Sequence, residues 1–391
     1  MKTNTKRTIT IAALGLAACL QPAQAQLVIP SDGSDGAFAP TTNIVIDLSQ
    51  AVTGAWDAAN TANAGKGIYD PNKWAVVFKY SSVNIPAGAT VSFLNHPTHA
   101  PVVWLVQGGV ANQGSINLNG AEGAPNGVLS LTPAEPGPGG FRGGPEGPEG
   151  YGYGLGPEGR GGAWGGAYLS SYGNPQIVPL VGGSGGAGYG NAGGGGAILI
   201  AASGTVQING SIYAKGGSGS SAGGGSGGAV RIIAAQVQGS GEVNCFGGSG
   251  YNPSEAGRIR IESPVLAASL RTYPETIAAP PSNPPAIWPP GSMPSVKILS
   301  VDTIAPPADP TAPLTSSSDV AIYNNDAAVV VLETSNFQIE GVVQVRVAQK
   351  WGAATWVTAT YDKGNQASAT WRASITFVKG YTTLQARATA P

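Results

Sequence analysis

The sequence predicts an all-β protein with a glycine-rich β-solenoid, a proline-rich linker and a C-terminal β-sandwich. Three observations support this: short apolar strands recur along the chain, glycine separates them, and a second set of alternating strands follows a run of prolines. The 391 residues leave room for two or three domains. Gly and Pro make up about a quarter of the chain, but 42% of residues are hydrophobic, which is enough to form a core.

The N-terminus predicts a signal peptide over residues 1–25. Three basic residues within the first seven precede an apolar run at 9–20, which is too short to span a bilayer. The small-x-small sequence AQA at 23–25 then indicates cleavage before Gln26. A competing interpretation is a lipobox, LAAC, in which Cys19 becomes a lipidated N-terminus.

Composition excludes several classes of partner. The formal charge is −1 and only 10% of residues are charged, so the chain carries no electrostatic footprint for nucleic acid. After the signal peptide, no stretch reaches the roughly 18 apolar residues of a transmembrane span. Cys245 is then the single remaining cysteine, so no intrachain disulfide is expected and it is interpreted as a buried apolar residue.

Residues 26–73 are predicted to cap the solenoid, because a solenoid must cover its end rungs. An alternating strand is predicted at 43–48, and residues 51–64 form either a short helix or a loop. The opening SDGSDG is turn-rich. Its Asp32 and Asp35 either hold a structural calcium ion or form turns without a metal, and no other cofactor is expected.

The solenoid is predicted over residues 74–270. The strand at Val102 recurs at Ile198, and the strand at Ile116 recurs at Ile212 with the same offset. Period-2 alternation predicts three inward columns, which are Val102, Ile198, Val230 and Ile259; Trp104, Ile200, Ile232 and Ile261; and Ile116, Ile212 and Val243. The residues predicted to face outward between them are Val103, Leu199, Arg231 and Arg260.

Glycine pairs close the predicted rungs. Gly216–Gly217 and Gly247–Gly248 follow the inward columns, and we expect them to bend the chain because glycine tolerates positive φ. Residues 216–228 are predicted to be a mobile Gly/Ser loop that absorbs excess length.

Residues 120–193 interrupt the repeat and are predicted to be a low-complexity excursion from one face of the solenoid. Proline and glycine at this density preclude a helix or a central strand. Aromatic residues spread among the glycines either bind a ligand such as a polysaccharide or pack on the solenoid wall. They are Phe141, Tyr151, Tyr153, Trp164, Tyr168 and Tyr172.

Residues 271–294 are predicted to be a stiff Pro-rich linker, and residues 295–391 a β-sandwich. The spacing of turn signals predicts about seven strands, at 295–302, 319–323, 328–332, 342–348, 355–361, 369–378 and 382–386. Because paired cysteines are missing, a fibronectin-type or other immunoglobulin-like variant fits better than an antibody domain.

Several motifs resemble those of a loose group of glycine-rich, exported bacterial surface proteins. The resemblance covers roughly residues 31–270 and is carried by SDGSDG at 31–36, NIPAGATV at 84–91, the Gly-Ser-Ile and Gly-Glu-Val rungs, and GGAVRI at 227–232. It implies a right-handed parallel β-helix with a C-terminal β-sandwich, a cell-surface or extracellular location, and no established activity.

The sequence argues against catalysis. Polysaccharide lyases and hydrolases on parallel β-helices rely on aspartates, and no Asp lies between Asp70 and Asp302. His96 and His99 are the two histidines, and they are interpreted as part of a polar turn rather than as metal ligands. The chain is therefore expected to be a non-catalytic structural or adhesive protein that contacts polysaccharide or the cell envelope. The alternatives are a carbohydrate-binding protein and, third, a polysaccharide-active enzyme.

Overall fold

The computed structural model describes residues 27–59, 64–123, 134–144, 156, 174–186, 192–219, 223–250, 254–282, 284–307, 319–323, 327–349, 354–380 and 382–391. Within these residues every regular element is a β-strand except one 3₁₀ turn at Leu48–Gln50, so the predicted all-β class is confirmed. None of the described residues belongs to a helix that is long and apolar enough to cross a membrane. Residues 1–26, with the predicted signal peptide and Cys19, lie outside the described residues.

The first sixteen strands build two sheets of mostly parallel strands. They are β1 Gly36–Phe38, β2 Ile44–Asp47, β3 Val52–Thr53, β4 Ile68–Asp70, β5 Ala75–Ile85, β6 Thr90–Leu94, β7 Val102–Val106, β8 Val110–Asn112, β9 Ser115–Asn117, β10 Ala197–Ile208, β11 Ser211–Tyr213, β12 Ala229–Gln238, β13 Glu242–Asn244, β14 Arg258–Glu262, β15 Arg271–Tyr273 and β16 Ile277–Ala279. A ten-stranded sheet has the order β16-β14-β12-β10-β7-β5-β4-β3. Its other two strands are β1, which pairs with β5, and β8, which pairs with β5 and β10. A six-stranded sheet has the order β15-β13-β11-β9-β6-β2.

The predicted columns are confirmed by the strand register. In the ten-stranded sheet, Val102, Ile198, Val230 and Ile259 are successive partners, and so are Trp104, Ile200, Ile232 and Ile261. In the six-stranded sheet, Ile116 pairs with Ile212, which pairs with Val243. All of these side chains are buried in one apolar cluster, which also includes Cys245. Each strand thus places its apolar side chains directly above those of the strand before it.

The segments on either side of this stack also add strands to it. In the predicted cap, β1 pairs with β5 and β2 pairs with β6. In the predicted linker, β15 pairs with β13 and β16 pairs with β14, so residues 271–279 continue both sheets. Strand β4 is the exception in direction, since it runs antiparallel to β5.

The outer face of the ten-stranded sheet is covered, which differs from the expected exposure of Val103, Leu199, Arg231 and Arg260. Val103 and Leu199 are 1% exposed and Arg231 is 2% exposed. They lie under apolar residues from other segments, namely Leu27, Ile29, Leu180, Ile287 and Trp288. The alternation correctly predicts that these side chains point away from the inner cluster. They are nevertheless buried, because segments outside the repeat cover them.

Glycine has a different role from the predicted one. Gly216, Gly217, Gly247 and Gly248 do not have positive φ. They lie against the backbone of neighbouring segments, and a Cβ on Gly216 would overlap the carbonyl oxygen of Gly225. Glycine is therefore required there because two segments of the backbone approach closely, and not because the chain bends with positive φ.

The predicted mobile loop at 216–228 is corrected for its described residues, 216–219 and 223–228. Gly217 N donates to Gly193 O at 2.9 Å, Gly225 N donates to Gly217 O at 2.9 Å, and Gly248 N donates to Gly225 O at 2.8 Å. Most of these glycines are buried. The segment is a hydrogen-bonded layer of the stack, since its backbone groups find partners without forming a regular sheet.

The described parts of the excursion, 134–144 and 174–186, join the same layer. Phe141 N donates to Gly183 O at 2.9 Å, and Gly183 N donates to Gly195 O at 2.7 Å. The excursion therefore packs on the stack through its backbone in these residues.

The C-terminal region contains seven strands in two antiparallel sheets. They are β17 Ser295–Val301, β18 Ala327–Ser335, β19 Val342–Gln349, β20 Thr355–Thr358, β21 Thr360–Gly364, β22 Ser368–Thr376 and β23 Thr382–Thr389. One sheet has the order β17-β18-β22-β21 and the other β20-β19-β23. Their inner faces share one buried cluster that includes Leu332, Val345 and Trp371. The strand predicted at 319–323 is not formed, and the one predicted at 355–361 is divided into β20 and β21.

Candidate functional site

The two aspartates of the predicted calcium site are held by protein groups. Asp32 Oδ2 lies 3.2 Å from Lys79 Nζ, and Asp35 accepts hydrogen bonds from Gly65 N at 2.8 Å and from Lys79 N at 2.6 Å. Burial opposes ionisation of Asp32, but hydrogen bonds from Ser34 and the charge of Lys79 outweigh it, so the pKa of Asp32 is lowered. Within the described ranges, His, Cys, Asp and Glu side chains do not gather in groups of three or more that could hold a metal ion.

The two histidines form the predicted polar turn between β6 and β7, which is confirmed by a hydrogen bond from His99 N to His96 O at 2.8 Å. The His96 ring stacks on Tyr69 with centroids 4.0 Å apart, and its Nδ1 lies 2.8 Å from Thr98 Oγ1. His99 is 2% exposed and has a left-handed φ of 54°. Burial lowers the pKa of His99 to about 4, so the imidazole is neutral near pH 7.

The predicted aromatic ligand site has one member within the described residues. Phe141 is 7% exposed, and its ring lies beside Gly156 and near Ser184, as the packing alternative expects. Tyr151, Tyr153, Trp164, Tyr168 and Tyr172 lie outside the described residues.

A second aromatic group lies on the outward face of the six-stranded sheet. We call Tyr213, Phe246 and Tyr273 the aromatic face. Tyr213 pairs in register with Asn244, which pairs with Tyr273, so the two tyrosines are two strand spacings apart, about 9.5 Å. The rings of Phe246 and Tyr273 have centroids 5.4 Å apart, and Phe246 is 46% exposed.

Polar and charged side chains border the aromatic face. Lys215 Nζ lies 5.3 Å from the centre of the Tyr213 ring. Asn244 accepts a hydrogen bond from Phe246 N at 3.0 Å and donates to Glu242 Oε1 at 3.1 Å. Arg271, whose side chain is 60% exposed, lies 3.8 Å from Glu242. Aromatic rings can stack on the apolar faces of sugars, while amides and charged groups bind hydroxyls.

Sequence reasoning missed this surface although part of its signal was present. Tyr213 directly follows Ile212, so alternation already places it on the outer face. Tyr273 was missed because residues 271–294 were interpreted as a linker, whereas Arg271–Tyr273 forms a strand of the sheet.

We compared the chain with protein-family models, curated proteins and solved structures, and none of the three comparisons gave a match. The contacts and exposures of the described residues are therefore the basis of the proposed function.

Proposed function

We propose that this chain is an exported, non-catalytic structural or adhesive protein that acts at the bacterial cell surface or outside the cell. The observation that carries the proposal is the continuous stack of strands in register, from β5 to β16, because such a stack makes a stiff column. A stiff column suits a spacer or scaffold that presents other surfaces.

The proposed architecture is a right-handed parallel β-helix followed by an immunoglobulin-like sandwich. From β9 to β16 the chain alternates between the six-stranded and the ten-stranded sheet, and every pairing among these strands is parallel, as a coiled chain requires. Right-handedness follows the general preference of parallel crossovers. Two antiparallel sheets around one core support the sandwich.

Export is supported by the basic and apolar N-terminal sequence and by AQA at 23–25. The test is to express the full chain in a Gram-negative host and determine the N-terminus of the mature protein by mass spectrometry. Cleavage before Gln26 supports release, and a lipidated Cys19 supports anchoring. The variant Cys19→Ala is the matched control, since it abolishes lipidation but leaves cleavage at residue 25. An uncleaved cytoplasmic product would contradict export.

The proposed lack of catalysis is supported by the partners of two glutamates in the parallel sheets, Glu242 and Glu262. Glu262 accepts hydrogen bonds from two arginines, and Glu242 lies between Asn244 and Arg271. Neither carboxylate has the paired acid and base geometry that glycoside cleavage uses. Incubation of the mature protein with neutral and acidic polysaccharides should release no reducing ends and no unsaturated products. Release of either would overturn this part of the proposal.

A second candidate function is carbohydrate binding, which the aromatic face favours. The triple variant Tyr213→Ala, Phe246→Ala, Tyr273→Ala should lose binding on a glycan array and adhesion to whole cells, since all three rings of the aromatic face are removed. Tyr323→Ala is the matched control, because Tyr323 is 96% exposed and lies elsewhere. Equal adhesion of both variants would exclude the aromatic face and leave the scaffold proposal standing.

A further inference from the structure

A groove of about 360 Å³ crosses the outer face of the ten-stranded sheet. The sheet contributes Val103 and Leu199 to its lining, and the covering segments contribute Ile177, Leu180, Ile287 and Trp288. Ligand pockets are typically about 300–1,000 Å³, so the groove has the size of a small-molecule site.

Arg231 lies at the floor of this groove with an unused donor. Its Nε and Nη2 donate to Glu262 Oε1 at 2.9 and 2.8 Å. The side chain is 3% exposed, and Nη1 donates to none of the described residues; unlike Trp288 Nε1 it is not fully enclosed, so it is open to the groove. A guanidinium has five N–H donors, and a donor at the edge of a mostly buried site can bond either water or a ligand. The open position of Nη1 is therefore suited to an acceptor from a ligand.

One covering segment supplies a second donor. Trp288 Nε1 is buried and has no hydrogen-bond partner among the described residues. Lys73, which also lines the groove, places Nζ 5.8 Å from the centre of the Trp288 ring. The carboxylates nearby already have partners: Glu262 binds the arginines, and Asp70 accepts backbone hydrogen bonds from Trp56 and Asn72. The described residues that line the groove thus offer hydrogen-bond donors and positive charge, and none of them is a carboxylate.

We propose that this groove binds a small amphipathic carboxylate, an unbranched hydrocarbon chain that ends in one carboxylate group. The hydrocarbon body lies on the aliphatic floor and walls, and the carboxylate accepts a hydrogen bond from Arg231 Nη1. A groove of about 360 Å³ lies at the small end of the range for ligand sites, which favours a chain of medium length over a long one. Decanoate, with ten carbons and two oxygens, is the probe of this class. The proposal is independent of whether the protein is an adhesin.

The test is calorimetric titration of the full mature protein with sodium decanoate below its micellar concentration, alongside decanol and acetate. Decanoate should bind once per chain, at least tenfold more tightly than decanol, and acetate should not bind. Absence of decanoate binding, or equal affinity for decanoate and decanol, would overturn the proposal. Tryptophan fluorescence should change on binding, because Trp288 lines the groove.

Two variants locate the site. Arg231→Met should weaken decanoate binding at least tenfold and leave decanol binding unchanged, whereas Arg271→Met on the other sheet should change neither. Leu180→Trp narrows the groove from its partly exposed wall and should weaken both ligands without touching the buried ion pair. If Arg231→Met does not fold, Leu180→Trp and the comparison of decanoate with decanol still test the proposal. Unaltered binding by Leu180→Trp would place the ligand elsewhere and refute the assignment.

Discussion

The Arg231 guanidinium and the Glu262 carboxylate form an ion pair that is buried on the outer face of the ten-stranded sheet, with Nε and Oε1 2.9 Å apart. Their side chains are 3% and 5% exposed. Arg260, which pairs in register with Arg231, donates to the same carboxylate oxygen at 2.8 Å. Arg260 also donates to the carbonyl of Pro175 at 3.3 Å, so the charged group ties the covering segment to the sheet.

Replacing Glu262 with Gln should destabilise the stack strongly. The substitution leaves the buried charge of Arg231 without a counter-charge, and removing one partner of a buried pair typically costs about 3–5 kcal/mol. Urea denaturation followed by tryptophan fluorescence measures this change. A matched control is Glu333→Gln in the C-terminal sheets, where the Lys297 partner is 65% exposed and the expected loss is below about 1 kcal/mol. Equal losses in both variants would contradict the burial argument.

A methyl group on Gly228 should disrupt the hydrogen-bonded layer formed by the described residues of 216–228. Gly228 does not have positive φ, so alanine is compatible with its backbone conformation, but the new Cβ would overlap the carbonyl oxygen of Gly196. Because backbone rather than a flexible side chain must move, we expect Gly228→Ala to cost about 3 kcal/mol, the upper end of the range for overpacking.

Gly54→Ala is the control for this substitution. A Cβ at Gly54 has open space around it, and its backbone hydrogen bond to Tyr69 is retained. The expected change is below about 1 kcal/mol. Thermal denaturation of both variants compares them directly, and a Gly228→Ala protein as stable as the parent would show that the layer tolerates side chains.

The contrast between these glycines explains which parts of the fold were predictable. Apolar alternation is a local pattern, so it correctly aligned Ile198 with Val230 and Ile259 from sequence. The close approach of Gly228 to Gly196 joins residues 32 positions apart, and a Gly-rich composition is equally typical of a flexible loop. Composition alone therefore suggested mobility where the structure has packed backbone.

The sequence does contain an indication that the outer face of the ten-stranded sheet is covered, although the period-2 alternation predicts exposure. The strand Val102–Val106 is apolar at every position, which is typical of strands buried on both faces. What covers it comes from distant segments, including Leu180 and Ile287, so its identity was not available from the repeat. Trp288 and Arg231 both line the groove for the same reason, and no local motif predicts that they lie at one site.

Acidification should destabilise the protein through His99. Burial lowers the pKa of His99 to about 4, whereas the unfolded value is about 6.5. Glu135 lies 3.7 Å away, but it is half exposed and already pairs with Arg142 at 2.6 Å, so burial dominates. Between these values the unfolded chain binds a proton that the folded chain does not. The contribution of the neutral His99 to the free energy of unfolding is therefore complete above about pH 6.5. It is lost as the pH falls through 4, which lowers the free energy of unfolding by up to about 3 kcal/mol.

The pH effect can be isolated because the chain has two histidines. NMR titration of the imidazole protons, assigned with His96→Asn, should give a pKa for His99 near 4. The variant His99→Asn keeps a residue that accepts the left-handed φ of 54° and should show a smaller loss of stability between pH 7 and 4.5. A His99 pKa at or above 6.5 would refute the prediction.

The predicted boundary near residue 295 should appear as two unfolding transitions. Leu332 is fully buried in the C-terminal cluster and Ile200 is fully buried in the cluster of the parallel stack, and the two clusters share no residue. Truncating either side chain to alanine should cost about 2–5 kcal/mol in the unit that contains it. In differential scanning calorimetry, Leu332→Ala should lower one melting temperature and Ile200→Ala the other, since separate cores unfold separately. If both variants lower the same single transition, the chain is one cooperative unit and the boundary is wrong.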